Sequence, residues 1–196
     1  MKTRFSFSRQ SRPFPKDFSA PMARIASYAV STAQRRIMSG VPPANSTLTQ
    51  AVKGNSLTLR DTGNYLASIS GTSGSTWAQA GTKERQARML QEGGVIRPKR
   101  ARSLAIPASS RTRTMMRRYG LTPRACIQGM KADGYQIWTT KLSKVIWARK
   151  GKKGQPFKLF ILRKSVRIPS RPHLYIDQAD EIVILSMLEQ YIGFRR

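Results

Sequence analysis

GYQIWTTKLSKVIWARKGKKGQPFKLFILRKSVRIP, residues 134–169, holds three runs rich in aromatic and β-branched side chains, separated by short polar connections. The runs 134–140, 144–149 and 157–168 read as strands, and RKGKKGQ (149–155) as the basic tip of a hairpin. Beyond them the chain continues SVRIPSRPHLYIDQADE (165–181), a strand, a stiff corner and a helix start. Pro169 and Pro172 fix their own backbone and push Ile168 and Arg171 toward extended conformations. Asp177, Asp180 and Glu181 then sit where a helix N-terminus favours negative charge. Ile184, Leu188 and Tyr191 space an apolar helix that Gly193 closes.

Towards the N-terminus, Met22, Ala26, Ala29, Ala33 and Ile37 recur at helical spacing. Ser19 is the expected N-cap, and Gly40, Pro42 and Pro43 the stop. Residues 42–63 read as a long loop ending in the Asp61-Thr62-Gly63 turn. The stretch 75–94 starts strand-like and becomes helical before Gly93-Gly94, and 103–107 is a short strand. Residues 1–18, with Arg, Ser, Pro and four Phe, read as an extended basic assembly arm. The order predicts one α+β domain over 19–196, an antiparallel twisted sheet packed by an N-terminal and a C-terminal helix, with long loops. A basic, partly helical insertion is expected at about 97–133.

Thirty-six Lys and Arg against nine acids give a formal charge of +27 over 196 residues. Such a chain repels itself in isolation and calls for a polyanion or a large acidic partner. The candidate contacts are Arg100, Arg102, Arg111, Arg113, Arg117, Arg118, Lys150, Lys152 and Lys153, with Trp147 weighed as a stacking residue but favoured as a sheet-face core residue. One cysteine, Cys126, excludes an internal disulfide framework and reads as a packing residue. His173 is the lone histidine, and the carboxylates are scattered apart from those of the last helix. No catalytic, cofactor-binding or metal-binding constellation is legible, so a non-enzymatic role is expected. No apolar run approaches the roughly 20 residues that span a bilayer, and the N-terminus lacks the apolar core of a secretory signal. The expectation is a soluble protein made in a cytoplasm.

Four segments in order resemble the tail-completion, or virion-morphogenesis, family of contractile-tailed bacteriophages. The first supplies Leu59, Asp61, Thr62, Gly63, Leu66, Ser68 and Ile69, and the second Gln91, Gly93 and Gly94. The third is Leu104 to Pro107, and the fourth supplies Ile168, Pro169, Arg171, Pro172 and Leu174. The resemblance covers about residues 20–192. Tyr65 is an added residue relative to the tightest form of the first motif, and Glu92 and His173 stand where the family more often has others, commonly an aromatic for the latter.

The resemblance implies a structural virion protein made in the host cytoplasm. It implies a homo-oligomeric ring, a hexamer by family likeness, at the neck or top of the tail. Connector and neck proteins, tail tube or sheath proteins and packaged DNA are the partners it implies, with no membrane. It also implies that Pro169, Arg171, Pro172 and Leu174 form the corner between the last strand and the final helix. There Leu174 and Ile176 would pack on the sheet, and Arg171 would pair with a carboxylate of its own subunit or of a neighbour. The alternative class is a basic nucleic-acid-binding protein of ribosomal or nucleoid type.

Overall fold

The computed structural model describes residues 17–140, 142 and 144–193, and residues 1–16 of the expected arm lie outside that set. In chain order the elements are α1 (Ser19–Ser39), α2 (Thr47–Lys53), α3 (Asn64–Ala67), β1 (Ser70–Ser73), β2 (Ala78–Gly81), α4 (Ala87–Glu92), β3 (Gly94–Ile96), β4 (Leu104–Pro107), α5 (Ser110–Tyr119), α6 (Pro123–Ala132), β5 (Tyr135–Thr140), β6 (Val145–Lys150), β7 (Phe157–Arg163), β8 (Val166–Ile168) and α7 (Gln178–Ile192). All strand pairs are antiparallel, and the fold class is α+β. The chain divides into two compact units, each built from discontinuous segments.

The first unit comprises residues up to Arg35, Ile69–Thr82 and Leu174 onward. Helix α1 buries Ile25, Ala26 and Ala33, close to the stripe its spacing predicts. Its start differs from expectation: the Asp17 carboxylate, not the Ser19 side chain, accepts from the first free amide, Ser19 N, at 2.8 Å. The β1–β2 hairpin lies so close to α1 that a Cβ at Gly71 would stand 3.1 Å from the Ala26 carbonyl oxygen. Helix α7 opens with a capping box, in which Asp177 accepts from Asp180 N and Asp180 from Asp177 N. The Tyr28 hydroxyl donates to the second Asp180 oxygen at 2.9 Å, tying α1 to α7.

The second unit, Arg36–Ser68 with Lys83–His173, contains the four-stranded sheet, ordered β4-β7-β6-β5. Tyr135, Ile137, Ile146, Ala148, Phe157, Phe160 and Ala105 point to one side, where Cys126 and Met130 of α6 and Met115, Met116 and Tyr119 of α5 pack on them. Leu159 and Phe160 are both fully buried although they are neighbours in one strand. A bulge explains this: Ile146 pairs with Phe160 and Trp147 with Lys158, leaving Leu159 as an extra residue.

The helices on this sheet are therefore α5 and α6, whereas α1 and α7 cluster with the β1–β2 hairpin. The stretch 97–133 is more than a partly helical excursion, since it supplies β4 and both covering helices. Its many cations misdirect the reading because helices one layer deep keep half their surface in water. Two further corrections are local. Residues 42–63 are not all loop: Ser46 caps α2 by accepting from Thr49 N, and Gly54 ends it in the left-handed region. The run 157–168 is two strands, and β8 leaves the main sheet to pair with β3.

Candidate functional site

The Pro-bounded corner is held by a buried polar network. His173 is completely buried; its Nδ1 lies 2.7 Å from the Arg171 carbonyl and its Nε2 lies 2.7 Å from the Tyr65 hydroxyl. A carbonyl only accepts, so Nδ1 carries the hydrogen, and in the neutral ring Nε2 accepts from Tyr65. Burial pushes the His173 pKa down, with the bond to the Arg171 carbonyl opposing, so the neutral imidazole is favoured. Burial also raises the Tyr65 phenol, helped by the charge of Glu84.

The corner is stitched to the end of α4 as well. Arg171 N donates to Leu90 O at 2.9 Å, the Ser170 hydroxyl to Gln91 O at 2.7 Å, and His173 N to Gln91 Oε1 at 3.1 Å. Gly93 has φ +75°, and a Cβ there would stand 2.6 Å from Ser170 N. The glycine thus allows two backbones to touch.

Arg171 is buried, and its guanidinium finds main-chain oxygens rather than the expected carboxylate. Nε donates to Pro43 O at 2.9 Å and Nη2 to Ala44 O at 3.2 Å. Pro169 is half-buried and Pro172 exposed. Leu174, half-buried, belongs to the first unit, as does Ile176, which is 48% exposed. The corner beside Asp61, Gly63 and Tyr65 borders a cleft of about 680 Å³ that Lys53, Glu84 and Arg171 also line. Among the described residues no group of three or more His, Cys, Asp or Glu is placed to hold a metal ion.

The basic candidates fall in three places. Arg100 and Arg102 are exposed in the β3–β4 connection, and Lys152 and Lys153 on the β6–β7 turn. Arg111, Arg117 and Arg118 are exposed on α5, with the Arg111 guanidinium 3.9 Å from the Phe157 ring centre. Two others serve the fold. Arg113 grips Asp61 through two parallel bonds of 2.7 and 2.5 Å, holding that carboxyl below its usual range. Lys150 stands 3.6 Å from Asp133, which also accepts from Tyr119 and pushes that phenol up to about 12.

Sequence reasoning missed two surfaces. One is the sheet face turned away from α5 and α6, where Trp138 pairs directly with Trp147. The favoured reading of Trp147 as a core residue is not met, because it is half-buried on the face opposite α5 and α6. The register held the signal: core residues 135, 137, 146 and 148 leave 136, 138, 147 and 149 on the opposite face. The other is α7, whose Ile182 and Leu185 are 64% and 58% exposed. Comparisons with protein-family models, with curated proteins and with solved structures return no match.

Proposed function

We propose that this chain is a structural subunit that assembles with copies of itself into a ring, in the manner of the tail-completion proteins its motifs resemble. The observation that carries this reading is helix α7. It is apolar almost all round, yet Asp180 is its only buried residue, and Ile182, Val183, Leu185 and Tyr191 stand exposed. Large apolar side chains exposed together on one helix ordinarily mark an interaction surface.

Charge selects the occupant. Residues 173–193 contain no Lys or Arg, and exposed Glu181 and Glu189 flank the Ile182–Leu185 stripe. The rest of the chain carries the +27 excess, with Arg117 and Arg118 exposed on α5. An acidic, apolar helix on one copy therefore complements the basic surface of the next. Such a contact is head-to-tail, and head-to-tail contacts close into rings when the rotation allows. An anionic membrane fits less well, since α7 offers it carboxylates rather than cations. The motif residues support the reading differently: Gln91 and Gly93 of the second resembling segment meet the fourth in the corner, and the first lines the cleft beside it.

In this reading the ring sits in the virion, at the neck or top of the tail, against connector, tube or sheath proteins, with packaged DNA in reach of its cations. Size-exclusion with light scattering should show discrete oligomers for the parent and monomers for the double variant Ile182→Asp, Leu185→Asp, with unchanged circular dichroism. Deleting the gene from a phage that carries it should leave full heads and detached tails in micrographs. A monomeric parent together with intact particles from the deletion would overturn the proposal.

A further inference from the structure

The sheet face opposite α5 and α6 carries a specific chemistry towards one end, beyond the buried Val145. Register puts Gln136, Trp138, Trp147, Arg149 and Lys158 together on it, with Trp138 opposite Trp147 and Gln136 opposite Arg149. Directly opposed residues on adjacent strands bring their side chains within about 5 Å at Cβ, so the two indoles are neighbours. Trp138, on the edge strand, is 37% exposed and Trp147 half-buried.

Each ring has a cation beside it: Arg149 at 5.7 Å from the Trp138 centre and Lys158 at 5.8 Å from that of Trp147. Cation–π attraction fades beyond about 6 Å, so both cations stand over their rings at the outer limit of that contact, loosely enough for a base to displace them. Arg111, at 3.9 Å, caps Phe157 closely by contrast. The Arg149 Nε donates to Gln136 Oε1 at 2.7 Å, which keeps the guanidinium near the indole pair.

We propose that this face binds single-stranded nucleic acid, with unpaired bases stacking on Trp138 and Trp147 and phosphates running past Arg149 and Lys158. Stacking needs a free base face, which a duplex hides within its own stack, so the indoles select the single strand. The cations beside the rings supply the complementary charge for its phosphates. This site is independent of α7 and does not rest on ring assembly.

Trp77 is 51% exposed and would confuse a fluorescence signal, so the test uses the full chain with Trp77→Phe as parent. Titration with oligo(dT) should quench tryptophan emission. Trp138→Leu or Trp147→Leu should each weaken binding about tenfold or more. The pair Arg149→Ala, Lys158→Ala should lower the slope of log affinity against log salt by about 1.4, two single-strand contacts' worth. Circular dichroism monitors folding; should a Trp variant unfold, the parent's quenching and the Arg149, Lys158 pair decide. Absence of quenching at saturation, or an unchanged salt slope in that pair, would overturn the proposal. Folded Trp variants that bind like the parent would do the same, as would equal or tighter binding of a matched duplex or of polyglutamate.

Discussion

The Tyr65 hydroxyl donates to His173 Nε2 across 2.7 Å, and both residues are buried. Each supplies the polar partner the other needs in a buried place. Removing one partner should therefore cost more than removing both. Tyr65→Phe is expected to destabilise the protein by about 1–3 kcal/mol, because Nε2 is then left buried and unpaired. The double variant Tyr65→Phe, His173→Phe should cost less than the sum of the single changes. Urea unfolding of the four species, analysed as a double-mutant cycle, gives the coupling.

The same histidine makes stability depend on pH. Its pKa is lowered in the folded state from an ordinary value of 6.5, so the unfolded chain takes up the proton first as pH falls. Stability is then complete above about pH 6.5 and declines as pH drops below it. Asp61 and Asp133, both held below their ordinary value of 3.8, act only at lower pH. Melting temperatures between pH 8 and 5 should fall towards the acid end, and the slope should flatten in His173→Gln.

Two glycines differ in both backbone strain and crowding. Gly54 sits in the left-handed region, φ +80° and ψ 7°, and a Cβ there meets nothing within 4 Å. Gly93, at φ +75° and ψ −176°, holds a conformation that only glycine adopts readily, and a Cβ there meets the backbone of residues 168–170. Gly54→Ala should cost about 1 kcal/mol, the scale of the conformational penalty alone. Gly93→Ala should cost clearly more, because its conformation is strained for alanine and backbone must shift to admit the methyl. Equal losses in parallel thermal melts would show that the approach of α4 to the corner is not tight.

The strand-forming runs from 134 to 168 were legible because they are rich in β-branched and aromatic residues bounded by turn chemistry, though the break between β7 and β8 was not. Helices α1 and α7 were legible from their apolar spacing, and α7 also from its acidic N-terminus, whereas the Asp17 cap of α1 was not. The covering role of α5 and α6 was hidden by their arginines. Only one side of each helix faces the sheet, and Met115, Met116, Cys126 and Met130 on that side are a thin signal beside so many cations. The two units leave no linker to read, since each is assembled from segments far apart in sequence. The corner was recognisable from Pro169 and Pro172, but its chemistry was not. Arg171 was expected to seek a carboxylate, and the carbonyls it reaches at Pro43 and Ala44 carry no mark in the sequence.

Those carbonyls decide what Arg171 does. A guanidinium that donates through Nε and Nη2 to main-chain oxygens of its own subunit ties residues 43–44 to the corner. Arg171→Ala should therefore destabilise the isolated subunit by about 1–3 kcal/mol, the scale of hydrogen bonds to a charged group. Arg171→Lys should recover only part of the loss, since one ammonium on a flexible stem does not match the planar fork that reaches both oxygens. Pro172→Ala, at an exposed position, should have the smallest effect, through the entropy of the unfolded chain alone. Thermal melts run beside size-exclusion profiles distinguish the two roles. Should Arg171→Ala melt like the parent while losing its oligomers, the residue acts across a subunit contact and its bonds to Pro43 and Ala44 are incidental. Loss of melting temperature at every protein concentration, rescued in part by lysine, is the outcome that the geometry of the corner requires.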